Sequence, residues 1–195
     1  QSDNELNLVQ LKRFRALTAA FEISSKSLSA SSGIFLGSQF YFDMVRPGYA
    51  IYGGNPTQTK QNLMCPVINL KVRILQCRKI KAGDTVGYGA TFRSDRVRWI
   101  ATIGMGYADG YLRALSENSN VYVKGKIASV VGRISMDLIS VDITGIEGVK
   151  PGDWAEVIGS SISVDELAER AGTIGYEILT SLGQRHKRIY IGANI

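Results

Sequence analysis

The chain is poor in the residues on which many metalloenzymes and small secreted domains depend. Its 195 residues include a single histidine, His186, and only two cysteines, Cys65 and Cys77. This content excludes a disulfide framework and argues against a zinc site, so we expect no metal. Two sparse thiols are typical of the reducing cytoplasm, where we expect the protein to be located. Chemistry in this chain must therefore depend on tyrosine, lysine, arginine, aspartate or a cofactor.

The sequence also lacks a long hydrophobic run and a concentrated basic patch. No apolar stretch approaches the roughly 20 residues that cross a bilayer, and the first residues lack the pattern of a signal peptide. We expect a soluble protein without a membrane partner. The net charge is +6, but the tightest basic group, residues 185–190, is short and is interpreted as a solvated edge. We therefore expect no nucleic acid partner, although the charge favours an anionic small molecule.

In the first part of the chain, predicted helices and strands alternate. Residues 4–22 carry apolar residues at helical spacing, with Asn4 or Asp3 as the N-cap. Residues 25–38 predict a short strand, a Ser/Gly turn and a short helix, and residues 40–54 predict an apolar strand interrupted at Arg46-Pro47-Gly48. One or two such units cannot bury a core alone. We interpret residues 1–54 as the end of a larger α/β domain whose start is absent.

After a predicted linker at 55–64, the pattern of predicted elements changes to short strands. Alternating apolar and polar residues predict short strands, bounded by turns, throughout residues 65–195. The predicted strands are "VINLKVRILQ", "RWIATIGM", "NVYVKG", "KIASVVG", "LISVDIT", "WAEVIG" and a final "KRIYIG". Ser163 and Glu166 have the spacing of a capping box before a helix that Gly172 ends, and a second short helix is predicted at about 174–182. This pattern favours a mainly β domain, an antiparallel barrel or sandwich with short helices.

One motif in the α/β part is suited to an anion. Arg46 ends an apolar strand, Gly48 offers an accessible backbone N–H, and Ser32 lies at the preceding βα turn. Backbone amides beside a hydroxyl at such loops are typical of a phosphate site. The same residues are also consistent with a simple Pro-Gly turn and an Arg46 ion pair.

Two further motifs lie in the β part. "GMGYADGYLR" at 104–113 surrounds Tyr107 with glycines, either to turn a corner or to present the phenol. A phenol that exchanges protons would need cationic neighbours, for which Arg113 and Arg133 are candidates. In "VVGRISMDLISVDIT", Met136 and Asp137 are consistent with core packing and a turn cap. Local reasoning leaves these alternatives open.

Taken together, the motifs resemble one family. "MVRPGYAIYGG", "VGYGATF", "IGMGYADGYLR", "VVGRISMD" and "GYEILTSLGQR" occur in the order found in the alanine racemases that depend on pyridoxal 5'-phosphate. The resemblance covers residues 28 to 192, the C-terminal portion of such an enzyme. It implies that residues 1–54 are the last βα units of a (β/α)8 barrel that holds the cofactor, followed by the mainly β domain. It also implies a homodimer that interconverts L- and D-alanine, in which each β domain reaches into the partner's barrel.

The resemblance also implies roles for individual residues. Arg46 would contact the pyridine nitrogen of the cofactor, and Ser32 with the backbone of Gly48 and Tyr49 would hold its phosphate. Tyr107 would be one of two catalytic bases and would act in the neighbouring subunit's site, opposite the lysine that binds the cofactor. The substrate carboxylate region would be bound by Met136, through its backbone, and Asp137.

A missing motif and two single positions depart from the family pattern. The lysine motif, which usually resembles V-K-A-N-A-Y-G, is absent from the 195 residues. We therefore expect this chain to be inactive alone and to need the N-terminal barrel portion as a partner. Gln184 stands where some members carry a phosphate-binding tyrosine, and Leu28 stands where some place a histidine near the ring.

Three other functions are consistent with the sequence. A racemase of broader amino-acid specificity would carry the same motifs. Without the lysine, the β part could instead be a non-catalytic module that binds a partner protein or an anionic ligand. A small nucleic-acid-binding barrel has only the net charge in its favour.

Overall fold

The computed structural model of the chain describes residues 4–22, 25–57 and 61–192. These residues belong to two compact units, residues 1–68 and residues 69–195. Among the described residues, no helix is both long enough and apolar enough to cross a membrane.

The first unit begins with a capped helix. Helix α1 spans Glu5–Ala19, and the Asn4 side chain accepts a hydrogen bond of 2.9 Å from the backbone N–H of Leu6. Asn4 is therefore the N-cap, and Asp3 lies outside the described residues. A one-turn helix α2 at Ser31–Ile34 follows.

The two strands predicted in this unit are not formed at their predicted lengths. Their only ladder contact among the described residues is a parallel bridge between Ala30 and Arg46. Phe42 has a φ of 53°, which interrupts extended backbone, and Pro47 has no N–H to donate to a neighbouring strand. The chain then makes a 3₁₀ turn at Tyr49–Tyr52. The order of helix, parallel bridge and helix is nevertheless that of βα units.

The second unit is a closed barrel of six antiparallel strands, so the choice between a barrel and a sandwich is settled. The strands are β1 Leu70–Ile80, β2 Thr85–Val86, β3 Phe92–Arg93, β4 Arg98–Ile103, β5 Asn120–Val123, β6 Lys126–Val130, β7 Ile139–Asp142 and β8 Trp154–Ile158. The barrel order is β1-β4-β7-β6-β5-β8, and β2 pairs with β3 in a separate small sheet. Helices α3 at Val164–Ala171 and α4 at Gly175–Ser181 follow β8.

Alternation along the strands fills the barrel with branched aliphatic side chains. Val121 and Val123 of β5 are buried while their neighbours are partly exposed, as the period of two predicts. In β1 the buried positions Val72 and Ile74 give way to a bulge between Ile74 and Gln76. A one-residue bulge reverses which positions face inward, and beyond it Ile80 is buried in a separate cluster with Val86, Ile100 and Val131.

The C-terminal end holds one wrong prediction and one confirmed feature. The final strand predicted at "KRIYIG" is not formed, and the barrel closes without it through the pairing of β1 with β8. The capping box is confirmed: Ser163 Oγ accepts from the Glu166 N–H at 3.0 Å, and Gly172 ends α3 with a φ of 70°.

Candidate active site

Two loops at one end of the barrel are joined through their backbones. The Tyr107 loop, residues 104–111, follows β4, and the Met136 loop, residues 132–138, precedes β7, the strand paired with β4. The Tyr107 N–H donates to the carbonyl of Ser135 at 3.1 Å, and the Ala108 N–H donates to the carbonyl of Met136 at 3.0 Å. The structure thus brings Tyr107 and Met136, which are distant in the chain, into adjacent positions.

Gly106 permits this close approach. A Cβ on Gly106 would lie 2.3 Å from the carbonyl oxygens of both Ser135 and Met136, far inside the contact distance. Its φ of −153° is open to any residue, so the requirement at this position is space rather than conformation.

Three side chains of these loops, those of Tyr107, Met136 and Asp137, face outward. Tyr107 begins a 3₁₀ turn at Tyr107–Asp109 and is 43% exposed, and Met136 is 54% exposed. Asp137 is exposed as well. The glycine-rich segment therefore turns a corner and presents its phenol at the same time.

A C-terminal residue connects the two loops by ion pairs. Arg185 Nε lies 3.3 Å from Asp109 Oδ1, and Arg185 Nη2 donates to Asp137 Oδ1 at 2.8 Å. Asp109 also accepts from the Gly106 N–H at 2.9 Å, and the ring of His186 donates from Nε2 to the Asp109 carbonyl at 2.7 Å. The hydrogen bond to Asp137, followed by the charge of Asp109, raises the pKa of Arg185.

The sequence gives no sign of this connection. Its basic group at residues 185–190 predicts a solvated edge, whereas Arg185 and His186 contact the Tyr107 and Met136 loops. Arg185 and Asp137 are 48 residues apart in the chain, and neither sits in a pattern that indicates pairing.

A third loop, residues 86–91, packs on the Met136 loop and is called the Tyr88 loop. A Cβ on Gly132 would lie 2.6 Å from the carbonyl oxygen of Val86, and Gly132 has a φ of 70°, so only glycine fits this contact without strain. On the other side of the contact, Nη1 of Arg133 lies 3.3 Å from the position of a Cβ on Gly89.

Tyr88 is the residue that this loop presents. It is 74% exposed, between Gly87 and Gly89, whose φ values are 79° and 73°. Ala90 has a φ of 50°, which is rare for a residue with a side chain and costs on the order of 1 kcal/mol. Backbone strain of this kind concentrates at functional sites. The flanking glycines of "VGYGATF" are the signal by which Tyr88 could have been singled out from the sequence.

The first unit contains the residues predicted to hold a phosphate. The Oγ of Ser31, which is buried, accepts from the N–H groups of Gly48 at 2.8 Å and Ala50 at 3.3 Å. The neighbouring Ser32, the predicted ligand, has an exposed side chain. Sequence reasoning thus missed Ser31, whose hydroxyl fixes the backbone of the "RPGYA" turn.

Arg46 and Tyr49 are held by local contacts in the same unit. The Arg46 guanidinium donates to Ser27 Oγ and, at 3.4 Å, to the Leu28 carbonyl, while its backbone N–H donates to Ser29 at 2.8 Å. Tyr49 is buried, and its ring occupies the space beside Gly54, where a Cβ would lie 2.0 Å from it. The exposed Arg46 side chain is therefore anchored near its tip.

The seven predicted site residues fall into two groups. Ser32, Arg46, Gly48 and Tyr49 belong to the first unit, and Tyr107, Met136 and Asp137 belong to the second. In the part of the chain that the structure describes, no group of three histidine, cysteine, aspartate or glutamate side chains could hold a metal ion.

Comparison with known proteins identifies the family. The family model described as alanine racemase, C-terminal domain, matches residues 67–190, and the model described as alanine racemase, N-terminal domain, matches residues 1–56. The alanine racemase of Acidiphilium cryptum is 51% identical over 189 residues, which cover 97% of this chain and 53% of that protein. The alanine racemase of Rickettsia bellii is 43% identical over 192 residues, covering 97% and 47%.

Solved structures agree with the sequence matches. The crystal structure of alanine racemase from Bartonella henselae with covalently bound pyridoxal phosphate has a TM-score of 0.92 at 43% identity, covering 98% of this chain and 54% of that one. The biosynthetic alanine racemase from Pseudomonas aeruginosa has a TM-score of 0.86 at 34% identity, covering 93% and 51%. The chain spans about half the length of the curated relatives it matches. Because the C-terminal domain model matches more than half of the chain, the chain belongs to the alanine racemase family.

Proposed function

We propose that this chain contributes to the active site of an alanine racemase that uses pyridoxal 5'-phosphate to interconvert L- and D-alanine. The observation that carries the proposal is the contact of both the Tyr107 loop and the Tyr88 loop with the Met136 loop, which sets two exposed tyrosines beside that loop. Relatives named alanine racemase and the Bartonella henselae structure with its bound cofactor support it.

The donors of the first unit suit the phosphate of that cofactor. Ser32 has an exposed hydroxyl at the first turn of α2, where backbone N–H groups lack partners within the helix. A Cβ on Gly48 would meet nothing within 4 Å, so a ligand can approach its backbone closely. We propose that Ser32 and the backbone of Gly48 and Tyr49 hold the phosphate, which would share the Gly48 N–H with Ser31 Oγ, its acceptor at 2.8 Å in the structure.

Arg46 has the chemistry for the pyridine nitrogen. A guanidinium only donates and does not give up its proton, so the ring nitrogen facing it would stay unprotonated. With Arg46 in place, the pyridine ring would withdraw electrons less strongly than a protonated ring does, which would limit side reactions. When bound, the cofactor supplies delocalisation of the negative charge that develops at the substrate Cα.

Inversion at Cα requires proton transfer on both faces, and this chain would supply a tyrosine for one face. Tyr107 stays the sequence-based prediction for this role. We favour Tyr88, because it is more exposed, its loop is strained, and Arg133 lies beside that loop. A phenol has an ordinary pKa of about 10, so a nearby cation helps it to act as a base.

The remaining residues of the second unit would bind and orient the substrate. Met136, through its backbone, and Asp137 are proposed to lie near the substrate carboxylate. The outward orientation of Tyr88, Tyr107 and Met136 supports a site shared across a homodimer, with the tyrosine acting in the partner's site. The cofactor-binding lysine of the family must come from a polypeptide that carries the V-K-A-N-A-Y-G motif, which these 195 residues do not contain.

The test compares Tyr88→Phe with Tyr107→Phe in the complete protein, with Tyr190→Phe as a matched control in the exposed C-terminal segment. Racemisation of each alanine enantiomer and exchange of the Cα proton with deuterated solvent are measured, along with cofactor absorbance. Loss of the base should slow racemisation by roughly 100-fold or more while absorbance is retained.

The outcomes separate the two tyrosines. We expect the large loss in Tyr88→Phe, a smaller loss in Tyr107→Phe and none in Tyr190→Phe. A large loss confined to Tyr107→Phe would restore Tyr107 as the base. Full activity in both variants would refute a tyrosine base in this chain, and faster turnover of a larger amino acid than of alanine would favour the broader-specificity racemase.

A further inference from the structure

Arg185 is the residue at which the exposed loops of the second unit meet. Its guanidinium contacts the carboxylate of Asp109, in the Tyr107 loop, and the carboxylate of Asp137, in the Met136 loop. Both contacts use neighbouring nitrogens, Nε at 3.3 Å and Nη2 at 2.8 Å. A planar group with fixed donor directions restrains the two carboxylates relative to each other in a way that a flexible ammonium does not.

The two carboxylates differ in what else holds them. Asp109 is buried and also accepts from the Gly106 N–H, and its carbonyl accepts from His186, so it is anchored without Arg185. Asp137 is exposed, and its hydrogen bond with Arg185 is the one that the structure records for its side chain. Removal of Arg185 would therefore free the Asp137 side chain and loosen the Met136 loop, which would then depend on its two hydrogen bonds from the Tyr107 loop and on the contacts between Ser135 and Leu138. Asp109 would keep its place.

The ion pair between Arg185 and Asp137 also affects how strongly Asp137 repels a bound carboxylate. Asp137 is proposed to lie near the carboxylate of the amino acid, and two carboxylates in proximity repel each other. The positive charge of Arg185 offsets one of the two negative charges that it contacts, so the charge of Asp137 is reduced where it faces the substrate.

We propose that Arg185 is a positioning residue of the racemase site: one guanidinium holds Asp109 and Asp137 together, fixes the Met136 loop against the Tyr107 loop, and keeps Asp137 from repelling the substrate carboxylate. The proposal rests on the proposed function for its effect on substrate, and on geometry alone for its effect on the loops. Exposed ion pairs contribute little to global stability, so this residue acts locally.

The test uses three variants of the complete protein. Arg185→Gln removes the charge and the double contact, and Arg185→Lys keeps the charge but loses the planar geometry. Lys187→Gln is the matched control, because it removes the same charge at an exposed residue two positions away. Within the described residues, Lys187 makes no hydrogen bond or ion pair. KM and kcat for alanine are measured at low and high salt, together with hydrogen exchange of the Tyr107 and Ala108 amides.

In Arg185→Gln, we expect KM to rise about tenfold at low salt with kcat changed less than about threefold, because the variant adds repulsion of the substrate. The increase should shrink at high salt, where charges at the surface are screened. Exchange of the Tyr107 and Ala108 amides should become faster, since their acceptors lie in the Met136 loop. Arg185→Lys should recover most of the KM, and Lys187→Gln should match the wild type in every measurement.

Two results would overturn the proposal. Amide exchange in Arg185→Gln equal to that in Lys187→Gln would refute the bridge between the loops. If the enzyme is active, the electrostatic role would be refuted by an unchanged KM in Arg185→Gln. It would also be refuted by a raised KM that is the same at low and high salt. A wild-type complete protein without racemase activity would instead refute the proposed function, and the exchange measurement would still decide on the bridge.

Discussion

Replacement of Gly106 by alanine is expected to separate the Tyr107 and Met136 loops. The added Cβ would lie 2.3 Å from the carbonyl oxygens of Ser135 and Met136, and contacts below 3.0 Å are essentially never seen for a real Cβ. Both obstacles are backbone atoms, so no side-chain rotation can relieve them. The loops must move apart at the point where two hydrogen bonds join them.

The magnitude follows from those contacts. Each lost backbone hydrogen bond costs about 1 kcal/mol, and forced overpacking adds about 1–3 kcal/mol, which gives a destabilisation of about 3–5 kcal/mol. A loss of this size lowers the melting temperature by roughly 10 °C or more in a unit of this length.

Urea unfolding followed by tryptophan fluorescence measures this change in the chain. Both of its tryptophans, Trp99 and Trp154, lie in strands of the barrel, so the signal reports on the second unit. The free energy of unfolding is compared between the wild type, Gly106→Ala and a matched control, Gly104→Ala.

Gly104 provides the control because it lies two residues away in the same loop. A Cβ there would lie 3.3 Å from Leu75 Cδ1, the end of a side chain that can rotate away. We expect Gly104→Ala to cost less than about 1 kcal/mol. Equal destabilisation by the two variants would refute the claim that backbone contact with the Met136 loop makes glycine necessary at position 106.

Three further predictions concern stability and local structure. Burial alone would raise the pKa of Asp142, but hydrogen bonds from Thr144 and Arg98 outweigh it and lower the pKa; the stabilisation is therefore present above the unfolded value near 3.8 and is lost as pH falls through the folded pKa. Urea midpoints between pH 3 and 7 should fall less steeply on acidification in Asp142→Asn than in the wild type, and parallel curves would contradict this. Ser119→Ala should cost about 1–3 kcal/mol and more than Tyr111→Phe, because it leaves the buried Tyr111 hydroxyl, 2.9 Å from Ser119 Oγ, without its acceptor; the reverse order of urea midpoints would contradict this. Ser31→Ala should accelerate hydrogen exchange at the Gly48 and Ala50 amides, which donate to its Oγ, whereas Ser32→Ala should not, and equal effects would contradict the assignment.

The barrel strands were predictable because their evidence is local. A strand that buries one face must alternate apolar and polar residues, and β5 and β7 do so within a few residues. By contrast, β8 is buried at four successive residues, Ala155 to Ile158, and was predicted from its apolar composition between turns. The failures occurred where a strand needs a partner that local sequence cannot supply. "KRIYIG" has the composition of a strand but meets a closed barrel, and the segment before Arg46 finds only one bridging residue.

The candidate site was predictable as far as its motifs reach. The motif order indicates Tyr107, Met136 and Asp137. In the structure these residues lie in two adjacent loops of one unit, and their roles stay predictions. Ser31 and Ser32 are adjacent and chemically identical, so only the backbone path decides which one is buried. The contact of Arg185 with Asp137 spans 48 residues, and one sequence carries no signal for it.

The Met136 loop has a structural role that its own side chains do not suggest. Its carbonyls accept hydrogen bonds from the Tyr107 loop, its Gly132 supports the Tyr88 loop, and its Asp137 pairs with Arg185. Tyr88 and Tyr107 both lie in loops that contact the Met136 loop. A change within the Met136 loop therefore alters the position of either phenol, whichever of the two is the base. Gly106 and Gly132 therefore maintain close contacts between loops that lie far apart in the chain, and a side chain added at either one would displace a loop without removing a hydroxyl group.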